Sequence, residues 1–328
     1  MINIIPLQHK FTADTTLTQV TAAVNNFYDR TMLKAARPLL VHTRWAQVRD
    51  IPRNNSLVIK FRRYSLLSAA TTALSEGVTP SGSQLSITDV SATVAQYGDF
   101  VTLTDQLVFS TLDPVLTETA DVLGQQAGNS LDQICRDVIV AGTTIQYASS
   151  ATTNATITAS MKFTRAEVKE AVRTLQSNDA RKVTRMVNPA NGFNTSPLNA
   201  CYVGIISEDS LFDLKDESGW TPVEEYASQK DVMEGEVGKL DEVRFVMTTN
   251  AKTTSSTVTV HTSLIMGMDF YGISRVSGEA MRNIVKPLGS AGTADPLDQR
   301  QTSGWKATFV AKILNENFAV AVRHAVSS

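Results

Sequence analysis

Two cysteines in 328 residues, Cys135 and Cys201, exclude a disulfide framework and a thiolate metal cluster, and they fit a reducing compartment. The four histidines, His9, His42, His261 and His324, stand apart from one another and from cysteine, so no metal-ligand spacing is present and no metal site is implied. Phosphate-cradling loops of the GxGxxG and GxxxxGK[ST] types are missing, as is a GxSxG nucleophile elbow, and no cofactor is implied. Glu224 and Glu225 are neighbours that point apart on either a helix or a strand, a poor geometry for paired acid/base work. There is no uncharged apolar run of about 18 residues, and the opening MINIIPLQHK has no basic stretch leading into an apolar one. Neither a membrane helix nor a secretory signal is indicated, which implies an intracellular place of synthesis. Net charge is only −2, against the strongly basic balance of a general nucleic-acid binder.

Charge of one sign is also missing locally. Residues 64–133 contain no Lys or Arg, only acids, whereas Arg30 to Arg63 holds nine basic residues against the single acid Asp50. Residues 208–242 are acidic again, with twelve carboxylates against Lys215, Lys230 and Lys239. Segregation of this kind either marks solvated faces of differing sign or lets basic and acidic surfaces of different copies meet.

What is present begins with an irregular, polar segment 1–53 carrying short helical patches at Thr18–Tyr28 and Thr31–Ala36, stopped by Pro38 and Pro52. Two long strand-like arms follow, 55–72 and 85–109, in which Leu57, Ile59 and Phe61, then Val101, Leu103, Leu107 and Phe109, alternate with polar residues. Between them LSEGVTPSGSQ, Leu74 to Gln84, has the proline and glycines of a reversal, predicting a long projecting hairpin. From Asp113 the apolar spacing changes to three and four (Leu116, Ala120, Leu123, Ala127, Leu131, Ile134, Val138), predicting a helix over about 113–141 that begins with Pro114 and ends before Gly142. Thr164 and Glu167 form a capping box for a second helix. CYVGII (201–206) reads as a buried strand, Ser207 as the cap of a short acidic helix, and 243–247, 257–262 and 264–273 as further strands. The end of the chain, GWKATFVAKIL and FAVAVRHAV parted by Asn315–Asn317, reads as a closing hairpin beneath the long helix.

The order arm, long hairpin, long helix, α/β insertion and closing strands resembles the major capsid protein of tailed bacteriophages, the Hong Kong 97 capsid fold. The stretches that carry the resemblance are FYDRTMLKAARPLL, RWAQVRDIPRNN, LSEGVTPSGSQLS, DPVLTETADVLGQQ, GEVGKLDEVRFVMTTNA, DPLDQRQTSGWK and AVRHA, and together they run along nearly the whole chain. It implies an α+β fold with an N-terminal arm (1–53), an extended loop (54–110), a peripheral domain with its spine helix (111–186 and 293–328) and an α/β axial domain (187–292). It also implies a non-enzymatic subunit of a virion capsid, made in the bacterial host cytoplasm, that forms pentamers and hexamers around double-stranded DNA. A portal and decoration proteins are the further partners implied, and no membrane is involved. The inter-subunit contacts expected on this basis are Arg53, Arg62, Arg63, Leu74, Glu76, Val78, Pro80, Glu224 and Glu225. The sequence departs from some relatives in having no lysine between Lys60 and Lys162, which removes an isopeptide weld from the extended loop. The numbering also reaches the arm without a preceding helical scaffolding segment, so a separate scaffolding protein is expected. An encapsulin-like compartment shares the implied fold, and a soluble α/β enzyme is the reading from another class.

Overall fold

The computed structural model describes residues 14–15, 41–54, 56–64, 67–74, 76–77, 79, 81–110, 115–187, 195–226, 232–277 and 281–327. The expected helical patches of the arm, and Asp113 and Pro114 at the start of the long helix, lie outside them. In chain order the elements are β1 (Asp14–Thr15), β2 (Gln47–Ile51), β3 (Val58–Tyr64), β4 (Ile87–Thr93), β5 (Ala95–Thr104), α1 (Asp105–Ser110), α2 (Val115–Val140), β6 (Ile145–Tyr147), α3 (Arg165–Ser177), β7 (Val183–Val187), β8 (Thr195–Ile206), α4 (Glu208–Lys215) and β9 (Trp220–Pro222). They continue with β10 (Glu236–Leu240), β11 (Val243–Met247), β12 (Lys252–Ser255), β13 (Thr259–Met266), β14 (Tyr271–Val276), β15 (Met281–Lys286), β16 (Arg300–Ile313) and β17 (Ala319–His324).

The described residues fall into two units, the first drawing on 1–38, 96–131 and 279–308, the second on 39–95, 132–278 and 309–328. In the first unit β1 pairs parallel with β5, and β15 pairs antiparallel with β16 from Met281↔Ala307 to Lys286↔Thr302. Leu123 and Ala127, one helical turn apart on α2, pack against Trp305 and Ala307 of β16, and the Trp305 ring N–H donates to Gln126 Oε1 at 3.2 Å.

The second unit is built on a nine-stranded sheet in the order β6-β17-β13-β8-β11-β10-β9, with β12 on β13 and β7 on β8. All but the first residue of β13 is buried, because this strand lies inside the sheet. Helix α3 begins at the expected capping box, where Glu167 accepts from the Thr164 backbone N–H at 3.1 Å. Its apolar face, Val168, Ala171, Val172 and Leu175, covers Tyr202, Phe245, Ile265, Val320 and Val322, and each such aliphatic side chain stabilises the fold by about 1.5–3 kcal/mol. Ser207 caps α4 by accepting from the Ser210 N–H at 3.2 Å. Elsewhere in this unit β14 pairs with residues 310–313 of β16 and, in parallel, with β2.

Two expectations are corrected. The closing strands do not pair with each other: β17 joins β13 and β6 in the nine-stranded sheet, and β16 pairs with β14 and β15. Val320 and Val322 find their apolar partners under α3, which no local pattern reveals. The second arm of the long hairpin also stops being a strand at Thr104, where Asp105 Oδ1 accepts from the Gln106 N–H at 2.8 Å and α1 begins.

Candidate functional site

The hairpin β3–β4 is in register from Val58↔Thr93 to Tyr64↔Ile87. Ile59, Phe61, Val90 and Ala92 share one face of this ladder, and only its stem is buried: Phe61 and Ala92 are 3% and 6% exposed. The Phe61 ring lies over Gly272 of β14, where an added Cβ would stand 2.8 Å from a ring carbon, and the Arg49 guanidinium sits 5.9 Å from the ring centroid. Beyond Phe61 the ribbon leaves the protein body, and every remaining residue of β3 is exposed. Ladder pairing ends at Tyr64 because the sequence onward, rich in Ser, Ala, Thr and Gly, has no alternation to hold a register.

The ribbon as a whole, 57–87, is apolar as well as exposed, at its base and beyond Phe61. Among the described residues, seven of the fifteen exposed large hydrophobic side chains belong to it: Leu57, Val58, Tyr64, Leu67, Leu74, Leu85 and Ile87, of which Leu74 is 78% exposed. A two-stranded ribbon with such side chains in water is marginal by itself, and burying each one against a partner is worth about 1.5–3 kcal/mol. Among the described residues no other segment of this length carries so many.

The described residues expected at contacts separate into three groups. Leu74, Glu76 and Arg63 are exposed on the ribbon, and Arg62 beside them pairs across the strands with Asp89 at 3.5 Å, an exposed ion pair of little energetic weight. Arg53 Nε donates to the Ser277 carbonyl at 3.1 Å, which ties it to its own subunit. Glu224 and Glu225 are exposed in a 3-10 turn after β9, away from the hairpin in sequence. Val78 and Pro80 lie outside the described residues. Tyr64, Leu67, Leu85 and Ile87 were not singled out by sequence, since their exposure depends on where the ladder leaves the body.

The polar clusters inside the second unit are closed to ligands. His324 Nε2 lies 2.8 Å from Ser263 Oγ and 3.5 Å from Ser210 Oγ, His261 Nδ1 lies 3.2 Å from Ser207 Oγ, and the Phe163 ring stacks on His324. All of these groups are buried, and burial lowers the His324 pKa to about 4, so the imidazole is neutral. Asp132 is wholly buried on α2: its Oδ1 accepts from the Val41 and His42 backbone N–H groups at 3.1 and 2.8 Å, and its Oδ2 meets His42 Nδ1 at 2.8 Å. Among the described residues no three His, Cys, Asp or Glu side chains are grouped to hold a metal ion. These arrangements hold the chain in place and give no open constellation for catalysis.

No protein-family model and no curated protein matches the chain. Solved structures do. The capsid of Ralstonia phage GP4 superposes with a TM-score of 0.70 at 12% identity, covering 100% of this chain and 99% of that one. The chain has the Hong Kong 97 capsid fold. The capsid of cyanophage P-SCSP1u gives 0.61 at 14% identity over 99% and 100% of the two chains, and the cyanophage Pam1 capsid 0.62 at 14% over 84% and 87%. The Hong Kong 97 fold accounts for the projecting hairpin, the long helix and the mixed α+β architecture expected from sequence.

Proposed function

We propose that the chain is the major capsid protein of a tailed phage, a non-enzymatic subunit that assembles as pentamers and hexamers into an icosahedral shell around double-stranded DNA. The observation that carries this reading is the ribbon 57–87, whose apolar side chains stand in water on a fold shared with solved phage capsids. The reading keeps an arm (1–53), an extended loop (54–110), a peripheral domain (111–186 and 293–328) and an axial domain (187–292). Assembly is non-covalent at the ribbon, since no lysine lies between Lys60, at its stem, and Lys162, which leaves the projecting part without an amine for an isopeptide bond. Scaffolding, portal and decoration proteins are the further partners, the location is the virion after assembly in the host cytoplasm, and no described helix is long and apolar enough to cross a membrane. Size-exclusion chromatography with negative-stain microscopy of the purified chain tests the reading: closed shells are expected, and a stable solitary subunit with saturable turnover overturns it in favour of an enzyme. Shells that enclose protein cargo and no genome favour the encapsulin-like reading instead.

The basic segment Arg30 to Arg63 has two uses in a shell, and charge reversal at Arg62 and Arg63 separates them. Loss of empty shells assigns the segment to neighbouring subunits. Normal shells with altered, salt-dependent DNA retention assign it to the genome.

A further inference from the structure

Two of the four histidines, distant in sequence, are set face to face by the nine-stranded sheet. His261 of β13 and His324 of β17 are direct partners across the antiparallel ladder, their rings stack with centroids 6.3 Å apart, and Phe163 also stacks on His324 at 4.8 Å. Both imidazoles meet the start of α4. Its cap, Ser207, lies 3.2 Å from His261 Nδ1, and Ser210 in its first turn lies 2.7 Å from Ser207 Oγ and 3.5 Å from His324 Nε2. His324 Nδ1 donates to the Ala325 carbonyl at 2.9 Å, so the neutral ring presents Nε2 as an acceptor, and the Ser263 hydroxyl donates to it at 2.8 Å. Both histidines and all three serines are buried. Helix α4 is further held by the buried Leu211 and Leu214 and by Asp213, which accepts from the Ser327 N–H at 3.0 Å and from the Ser327 hydroxyl.

Positive charge on this pair is poorly tolerated. Like charges directly opposite on neighbouring strands repel, and a cation at the first turn of a helix opposes its dipole. The exposed Asp209 of α4 stands 3.9 Å from His261 Nε2 and can meet a proton there. Asp213 lies near His324 but is engaged with Ser327 and, at 3.7 Å, with Lys162 Nζ, while Glu167 of α3 is engaged with the Ser149 and Thr164 backbone N–H groups. From β12 the residue opposite His261 is the neutral Thr253, and Lys252 and Arg323 flank Thr262 on the other face of the sheet. A proton on His324 therefore gains no carboxylate that is not already engaged, and burial holds its pKa at about 4. We propose that the facing imidazoles are an acid-operated clasp on α4: neutral, they hold its first turn to β13 and β17, and charged, they push it off, so that α4 opens as a unit while the sheet and α3 stay folded. Ser327 comes free with it, because Asp213 is its anchor. The clasp lies within one subunit and is independent of the shell reading. With His324 at about 4 when α4 is closed and at the usual 6.5 when it is open, the open form takes up the proton first, and its population rises by about 50-fold between pH 7 and pH 4.5.

Hydrogen exchange of the full chain, read by mass spectrometry on peptides from α3 and α4, tests the clasp. Protection factors in α4 are expected to fall by about ten-fold or more from pH 7 to pH 4.5, while those in α3 fall by less than about two-fold. In His324→Gln the acid-induced fall in α4 should shrink to less than about three-fold. Asp209→Asn keeps the buried pair and removes the carboxylate that meets a proton on His261, so its acid-induced fall should exceed the parent's by about two-fold or more. Equal losses in α3 and α4 would mean general acid unfolding and overturn the clasp. An α4 that stays protected at pH 4.5, a His324→Gln chain with the parent's acid response, or an Asp209→Asn chain whose fall is no larger than the parent's overturns it as well. If His324→Gln does not fold at pH 7, the Asp209→Asn comparison decides, since that side chain is exposed and its removal leaves the core intact.

Discussion

Asp132→Ala should be among the most destabilising single changes in the second unit. The carboxylate is fully buried and accepts from two backbone N–H groups and from the His42 ring. Truncation leaves the Val41 and His42 N–H groups without an acceptor, each costing about 1–3 kcal/mol, and strands a buried imidazole as well. A total loss of about 3–5 kcal/mol follows, in line with the removal of one partner from a buried pair. The His42 carbonyl remains held by Tyr271 Oη at 2.5 Å and Cys135 Sγ at 3.2 Å, so the segment 41–45 is loosened at its amides and not released. Asp132→Asn is the control: its carbonyl can still accept both backbone N–H groups, and His42 need only carry its proton on Nε2, for a cost of about 1 kcal/mol. Urea unfolding of the dissociated subunit at neutral pH reads both values. An alanine variant within 1 kcal/mol of the parent, or an asparagine variant as damaged as the alanine one, would refute the claim that backbone capture dominates this site.

Gly204→Ala should cost about 1–3 kcal/mol by the same assay, because the new methyl would stand 2.5 Å from ring carbons of Phe245, the residue directly opposite in β11, within a fully packed core. Acid should weaken the second unit through His324. Its folded pKa of about 4 lies below the usual 6.5, so the unfolded chain takes up the proton first; stability from this source is complete above about pH 6.5 and is lost progressively as pH falls towards 4. The loss reaches about 3 kcal/mol, and His324→Gln should flatten that part of the pH profile even if it lowers the neutral-pH value. His261, Asp213 and Glu167 lie near this ring and modulate the midpoint, so an unchanged slope in the variant would assign the acid response to them. Arg62→Ala should change subunit stability by less than about 1 kcal/mol, since its pair with Asp89 is exposed; a larger loss on unfolding the dissociated subunit would show that the ribbon is held by more than its stem.

Much of the architecture was legible because local chemistry announces it. The stripe from Leu116 to Val138 specified α2 within a residue or two of its ends, and Thr164 with Glu167 and Ser207 marked two helix starts. CYVGII was readable as a buried strand because an unbroken apolar run suits a sheet covered on both faces. Destination was not legible. Nothing in FAVAVRHAV states that its partners are β13 and β6, since pairing between distant strands is decided by which hydrophobic faces meet in the assembled core. The ribbon illustrates the same boundary at a site: its reversal and its flanking strands were foreseen, but the point where burial ends, Phe61 against Gly272, is a long-range contact.

Phe61 on Gly272 is also a fulcrum. From that contact the paired strands continue to Tyr64 and Ile87 and the tip extends beyond them, so the working end stands at least about 10 Å out even at the last ladder pair. A tilt of a few degrees at the pivot is magnified along that length. If copies sit in rings of different size, as proposed above, repacking of this one aromatic ring would adjust their reach. Enlarging Gly272 would jam the pivot, and selective loss of one ring type would be its signature.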